Sequence, residues 1–122
     1  MHEMSVSLAL IEQVERIAAE RGARSVTVIT VSIGPLSGIE ADLLARAFPL
    51  AAAGTPAEHA RLDIEQLDVT VSCSQCGAES PARANRLICG TCGDYRTRIV
   101  SGDEMILQRV ELDVPAARSL AI

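Results

Sequence analysis

Four cysteines carry the most specific chemistry in this chain. They fall as Cys73-Ser74-Gln75-Cys76 and Cys89-Gly90-Thr91-Cys92, with twelve residues between the pairs. Two residues between thiolates let one tight turn present both sulfurs to a single ion. Gly77 and Gly93 follow the pairs, where a left-handed backbone aims N–H groups at the sulfurs. Two such knuckles facing each other supply a tetrahedron of soft ligands, the set that suits Zn(II). With four thiolates and no open position, such a zinc is structural, one per chain: it folds its module and does not activate water. A thioredoxin-type redox pair needs a single CxxC at a helix start. A rubredoxin-like iron site needs an aromatic core, and only 2% of this chain is aromatic. A zinc-ribbon adaptor for protein or nucleic acid stays as the alternative, because Arg83, Arg86, Arg96, Arg98 and Tyr95 surround the knuckles.

The amino terminus is the second place where chemistry is available. The chain opens Met1-His2-Glu3. Enzymes that remove initiator methionine need a small second residue, so Met1 is expected to stay. The terminal amine, the amide nitrogen of His2 and its imidazole can then close two chelate rings on a square-planar Ni(II) or Cu(II). One planar position stays open, which suits a protein that hands metal onward, and Glu3 could fill it loosely. The plainer reading makes His2 a frayed terminal residue with no partner, and the residues alone leave both open. His59 follows a turn signal and reads as a surface residue. Glu40 has an ordinary use too, completing a capping box with Ser37.

The elements that must position these groups are legible from periodicity. A helix is expected over Met4 to Arg21, with Met4, Leu8, Ile11 and Ala18 on one apolar stripe, Leu10, Val14 and Ile17 widening it, and Gly22 just past its end. A β-branched strand follows from Val26 to Ile33. Its apolar phase switches at Val28-Ile29, which suggests burial on both faces or an interrupting bulge. Ser37 opens a second helix through about Ala47, and Pro49 is expected to kink or close it. Thr55-Pro56 starts one short turn. Arg61 to Val71 reads as one strand with a second phase switch, and Glu104 to Val114 as the last strand. Between them, Ser72 to Ser101 has few large apolar residues. That module is too poor in core to fold by burial alone.

Length and charge bound the rest. The chain has 122 residues, 48% of them hydrophobic, which is enough to fold and excludes intrinsic disorder. Eleven arginines, with no lysine, face sixteen acidic residues, a formal charge of −5. An acidic chain repels phosphate backbones, so no nucleic-acid partner is expected. No leader and no apolar run long enough for a bilayer is visible, so a soluble cytoplasmic protein with no membrane partner is expected. A reducing cytosol also favours metal over disulfides at the cysteines. No nucleophile–base pair and no Gly-rich phosphate loop stand out, so the chain reads as a non-enzyme.

Several of these features occur together, in order: Met1-His2-Glu3-Met4-Ser5, Ile33-Gly34-Pro35-Leu36-Ser37-Gly38-Ile39-Glu40, Ala47-Phe48, Leu62-Asp63-Ile64-Glu65, the paired CxxC knuckles, and Gly102-Asp103-Glu104-Met105. In them the chain resembles, over essentially its whole length, the HypA/HybF hydrogenase maturation factors, which are nickel metallochaperones. The resemblance implies an α+β fold: a small mixed sheet with two helices as a nickel-binding domain, 1–70 and 102–122, and an inserted zinc-ribbon-like four-cysteine domain, 71–101. It implies Ni(II) as transient cargo, delivered with a HypB-type GTPase to the large subunit of [NiFe]-hydrogenase, and in some relatives service to urease maturation. It implies His2 as the essential nickel ligand, Glu3 as its neighbour, and Met1 through its terminal amine. Glu40 falls where an acidic residue, often Asp, is implicated. Cys73, Cys76, Cys89 and Cys92 bind the zinc. Either a monomer or a dimer fits. This chain departs from the family in having no histidine beside its cysteine pairs, and in having Gly90 where many relatives have proline.

Overall fold

The structure is a computed structural model that describes residues 2–115. Helix α1 runs His2–Glu20, strand β1 Ser25–Ile33, helix α2 Ala41–Ala52 and strand β2 Arg61–Gln66. Strands β3 Val69–Cys73, β4 Glu79–Ala82, β5 Thr97–Ser101 and β6 Met105–Asp113 complete the order. They form two three-stranded sheets, ordered β2-β1-β6 and β4-β3-β5. The fold is α+β with a zinc-ribbon-like module.

Helix α1 starts at His2, two residues before the expected Met4. Glu3 lies in its first turn, where a carboxylate complements the helix dipole. Leu10, Ile11, Val14 and Ala18 are buried along one face. The helix stops at Gly22, whose φ of 65° only glycine adopts without strain. The next residue closes the end, the Ala23 N–H donating to the Ala18 carbonyl at 2.9 Å. Strand β1 sits at the centre of its sheet. Val28 and Ile29 are both buried, so the phase switch reports a strand covered on both faces.

Two expectations need correcting here. The second helix begins at Ala41, with Glu40 as its N-cap, and the Glu40 side chain makes no capping bond. Ser37 is spent differently: its Oγ accepts the Ile39 N–H at 3.2 Å, a local turn that competes with a helix start. Pro49 neither closes nor ends α2, which continues through Ala52. Phe48, Ala51 and Ala52 are buried beside it, so packing of the last turn outweighs the one hydrogen bond the proline removes. The expected turn follows, with Gly54 at a φ of 77° and Thr55 Oγ1 accepting the Ala57 N–H at 3.1 Å.

The expected strand from Arg61 to Val71 is two strands. It breaks at Leu67-Asp68, and its halves enter different sheets. The phase switch is the cause, since one continuous strand would put Leu62/Ile64 and Leu67/Val69 on opposite faces. Leu67 donates its N–H to the Ile33 carbonyl at 2.9 Å.

The described residues divide into two compact units. One comprises 2–31, 40–64 and 107–115, where α1 packs on α2. The other comprises Ser32–Ile39 and Glu65–Ile106. Within the second unit, β3 pairs antiparallel with β4 (Val71 opposite Ser80) and with β5 (Val71 opposite Ile99). Its two segments meet backbone to backbone. Gly34 donates its N–H to the Glu104 carbonyl at 2.9 Å, and Leu36 donates to the Gly102 carbonyl at 2.8 Å. A Cβ on Gly34 would run into that carbonyl of Gly102. Gly102 itself has a φ of 115°, and its N–H donates to Glu104 Oε1 at 2.7 Å.

Candidate metal centre

Strand β3 ends on Cys73, and the chain then folds into a knuckle. The Cys73 N–H donates to the Ala78 carbonyl at 2.9 Å, and the Gly77 N–H to the Cys73 carbonyl at 3.0 Å. The second pair repeats this: the Cys89 N–H donates to the Asp94 carbonyl at 2.9 Å, and the Gly93 N–H to the Cys89 carbonyl at 2.9 Å. Gly77 and Gly93 sit at φ of 76° and 78°. No Cβ is accepted cheaply there, which is why both pairs are followed by glycine.

The knuckles aim donors at their first sulfur. Gln75 and Cys76 point N–H groups at Cys73 Sγ, at 3.4 and 3.5 Å. Thr91 and Cys92 do the same to Cys89 Sγ, at 3.3 and 3.4 Å. The Cys92 and Thr91 N–H groups bring the Cys89 thiol down to about 6. The Cys76 N–H, then that of Gln75, lowers Cys73 as well. Both first cysteines are therefore shifted toward the thiolate, the form that ligates.

Across the knuckles, Cys73 Sγ lies 3.7 Å from Cys92 Sγ, and Cys76 Sγ lies 3.6 Å from Cys89 Sγ. All four sulfurs lie within 4.8 Å of one another. A tetrahedron of thiolates about 2.3 Å from one ion has edges of about 3.8 Å, so the two distances across the knuckles match a single divalent ion. Cys73 and Cys89 are buried, while Cys76 and Cys92 are exposed.

Neighbouring side chains hold the cage. Asp94 takes two bonds from the Arg96 guanidinium, at 3.0 and 2.9 Å, and one from the Arg96 N–H at 2.8 Å. The guanidinium, then that N–H, holds the Asp94 carboxyl at about 2. Gly90 donates its N–H to Ser80 Oγ at 2.8 Å, tying the second knuckle to β4. No local sequence signal marks Ser80, because the partners are ten residues apart and only folding pairs them.

At the other end of the chain, His2 is exposed at the first position of α1. Glu3 is buried, at 6% exposure, and its Oε2 accepts the Glu40 N–H at 3.1 Å. That bond, followed by the Glu3 backbone's own N–H, keeps its carboxyl below the usual range. The structure thus brings the start of α1 to the start of α2 through Glu3, while the Glu40 side chain is exposed. Met1 lies outside the described residues. Among the described residues, the four cysteines are the group of three or more metal-ligating side chains that could share an ion; His2, Glu3 and Glu40 do not form another. His59 is exposed in the turn before β2. Residue spacing does not reveal the Glu3 brace, whose one signal is an acid in a helix's first turn.

The fold and the thiolate cage define a metal-binding accessory protein with a zinc-ribbon-like module. The family model described as "Hydrogenase/urease nickel incorporation, metallochaperone, hypA" matches residues 1–112. The chain belongs to this HypA family, whose members are non-catalytic metallochaperones. Hydrogenase maturation factor HypA of Nitrosospira multiformis is 48% identical over 112 residues, covering 92% of this chain and 97% of that protein. HypA of Aquifex aeolicus is 42% identical over 114 residues, covering 93% and 99%. Among solved structures, the nickel metallochaperone HypA from Helicobacter pylori superposes with a TM-score of 0.70 at 27% identity, covering 93% of this chain and 98% of that one. No helix among the described residues is long and apolar enough to cross a membrane.

Proposed function

We propose that this chain carries Ni(II) on its amino terminus and delivers it to the large subunit of a [NiFe]-hydrogenase during maturation. A HypB-type GTPase supplies the energy input, since this chain has no phosphate loop of its own. Service to urease maturation is open to the same chemistry. Residues 1–70 and 102–122 form the nickel-carrying part. In 71–101, Cys73, Cys76, Cys89 and Cys92 hold one structural Zn(II) per chain, which supplies cross-links in place of a core. The protein works in the cytoplasm.

The observation that carries this reading is the family match reaching residue 1, together with an exposed His2 at the first position of α1. The first N–H groups of a helix have no acceptor within it. The His2 amide can therefore lose its proton to a metal without breaking a helical bond. The imidazole reaches the ion from solvent, and the Met1 amine completes the chelate. The Glu3 carboxylate meets the Glu40 N–H, and a carboxylate from either residue is the proposed oxygen donor to the open position once it turns toward the terminus. Imidazole and amide must both be deprotonated, so binding weakens as the pH falls. Affinity is moderate, as a cargo that must leave requires.

Nickel titration of wild type against His2→Ala tests the site. The variant should lose tight nickel binding while keeping its zinc; equal affinity in the two proteins would falsify the N-terminal site. A short N-terminal extension should have the same effect by displacing the amine. Elemental analysis should find about one zinc per chain, and a red, iron-bearing preparation would overturn the zinc assignment.

A further inference from the structure

Beside Cys89, on the same compact unit, lies a cleft of about 380 Å³ lined by Pro81, Ala82, Arg83, Arg86, Ile88 and Gly90. Its two arginines face each other. The chain turns tightly at 83–86, the Arg86 N–H donating to the Arg83 carbonyl at 3.0 Å, and the pair forms an antiparallel bridge. Bridge partners stand on the same side of a hairpin, so both guanidiniums rise from one face. Like charges directly opposite repel. Among the described residues neither arginine belongs to an ion pair, as is also true of Arg16, Arg21, Arg46 and Arg98; what sets this pair apart is that the two stand opposite each other. Like charges held on one face are relieved by an anion between them.

We propose that this cleft docks an acidic peptide segment of a partner protein, with a carboxylate held between Arg83 and Arg86. Paired guanidiniums give a planar, bidentate grip on a carboxylate. Pro81, Ala82 and Ile88 offer an aliphatic wall to the residue beside it. Gly90 lines the cleft and packs on Ser80, where a Cβ would stand 3.3 Å from the Ser80 Cβ. Charge selects a peptide over a nucleic acid, because the whole chain is at −5 and would repel a polyphosphate. The exposed Tyr95 ring is not part of the cleft, and Arg96 lies over it at 5.6 Å, so the cleft offers no aromatic platform for bases. The test does not depend on nickel.

The test is fluorescence anisotropy on the full, metal-loaded chain with a short labelled peptide alternating glutamate with leucine. Wild type should bind it, more weakly as salt rises. The double variant Arg83→Gln/Arg86→Gln should bind about tenfold more weakly. Arg16→Gln/Arg98→Gln removes the same charge outside the cleft and should change binding by less than about twofold. On wild type, the peptide should shift the amide resonances of Ile88 and Gly90, a readout that needs no variant to fold. The proposal is overturned if the two double variants weaken binding equally, if a glutamine–leucine peptide binds as well, or if Ile88 and Gly90 do not shift. Tighter binding of a single-stranded oligonucleotide than of the peptide overturns it too.

Discussion

Glu3 joins two helix starts that are far apart in sequence, since its carboxylate accepts the N–H of Glu40 from a buried position. It therefore acts on the terminus by fixing where α1 begins, and so where His2 points its amide. Glu3→Ala should lower the thermal midpoint by several degrees and weaken nickel binding, whereas Glu3→Gln, which can still accept the bond, should keep most of both. Because the folded carboxyl is held below the usual range, its stabilisation is fully present above the ordinary glutamate value. It is lost as the pH falls through the depressed value. Acid titration of stability should show this loss in wild type and not in Glu3→Gln; identical acid limbs would remove the brace from consideration. A bond between residues 37 apart leaves no mark on local sequence, which is why Glu3 reads there as a metal neighbour and Glu40 as a capping partner. The cysteines are the opposite case. Each knuckle is complete within a few residues, so ligand type, spacing and glycines are all legible in the sequence itself.

At the scale of elements, backbone contact matters more than side-chain burial. Gly34 and Gly102 let the segment 32–39 lie against the approach to β6, with two N–H···O bonds and no room for a methyl group. Gly34→Ala should cost about 3 kcal/mol of stability, through overpacking against backbone that cannot rotate away; urea denaturation measures it, and a change below about 0.5 kcal/mol would show that the segment yields. Ser80→Ala should loosen the second knuckle by removing the acceptor of the Gly90 N–H, read as faster metal loss to a chelator. Helices α1 and α2 and strand β1 are legible as elements because apolar periodicity is a local property. Their exceptions have two physical origins. The start of α2 is lost to a local serine turn, whereas Pro49 is overruled by burial of Phe48 and Ala52 and the β2–β3 break follows from membership of two sheets. The last two are tertiary decisions that a periodicity window does not contain.

For the molecule as a whole, the two compact units rest on different physics. The one holding α1 and α2 has an apolar core that includes Leu10, Val14, Ile29, Leu44 and Phe48. The one holding the cysteines buries little beyond Ile33, Val69, Val71, Cys73 and Cys89. Chelation under reducing conditions should therefore abolish amide-exchange protection in β3, β4 and β5 while α1 keeps its own. Simultaneous loss in both would mean that one cooperative transition spans the chain. The cysteine-bearing unit is also written in two pieces of chain, Ser32–Ile39 and Glu65–Ile106, sewn together at Gly34 and Gly102. Recombination between relatives is thereby constrained. A chimera inherits a working module only when both pieces descend from the same parent, even though a whole helix and a strand separate them in the gene.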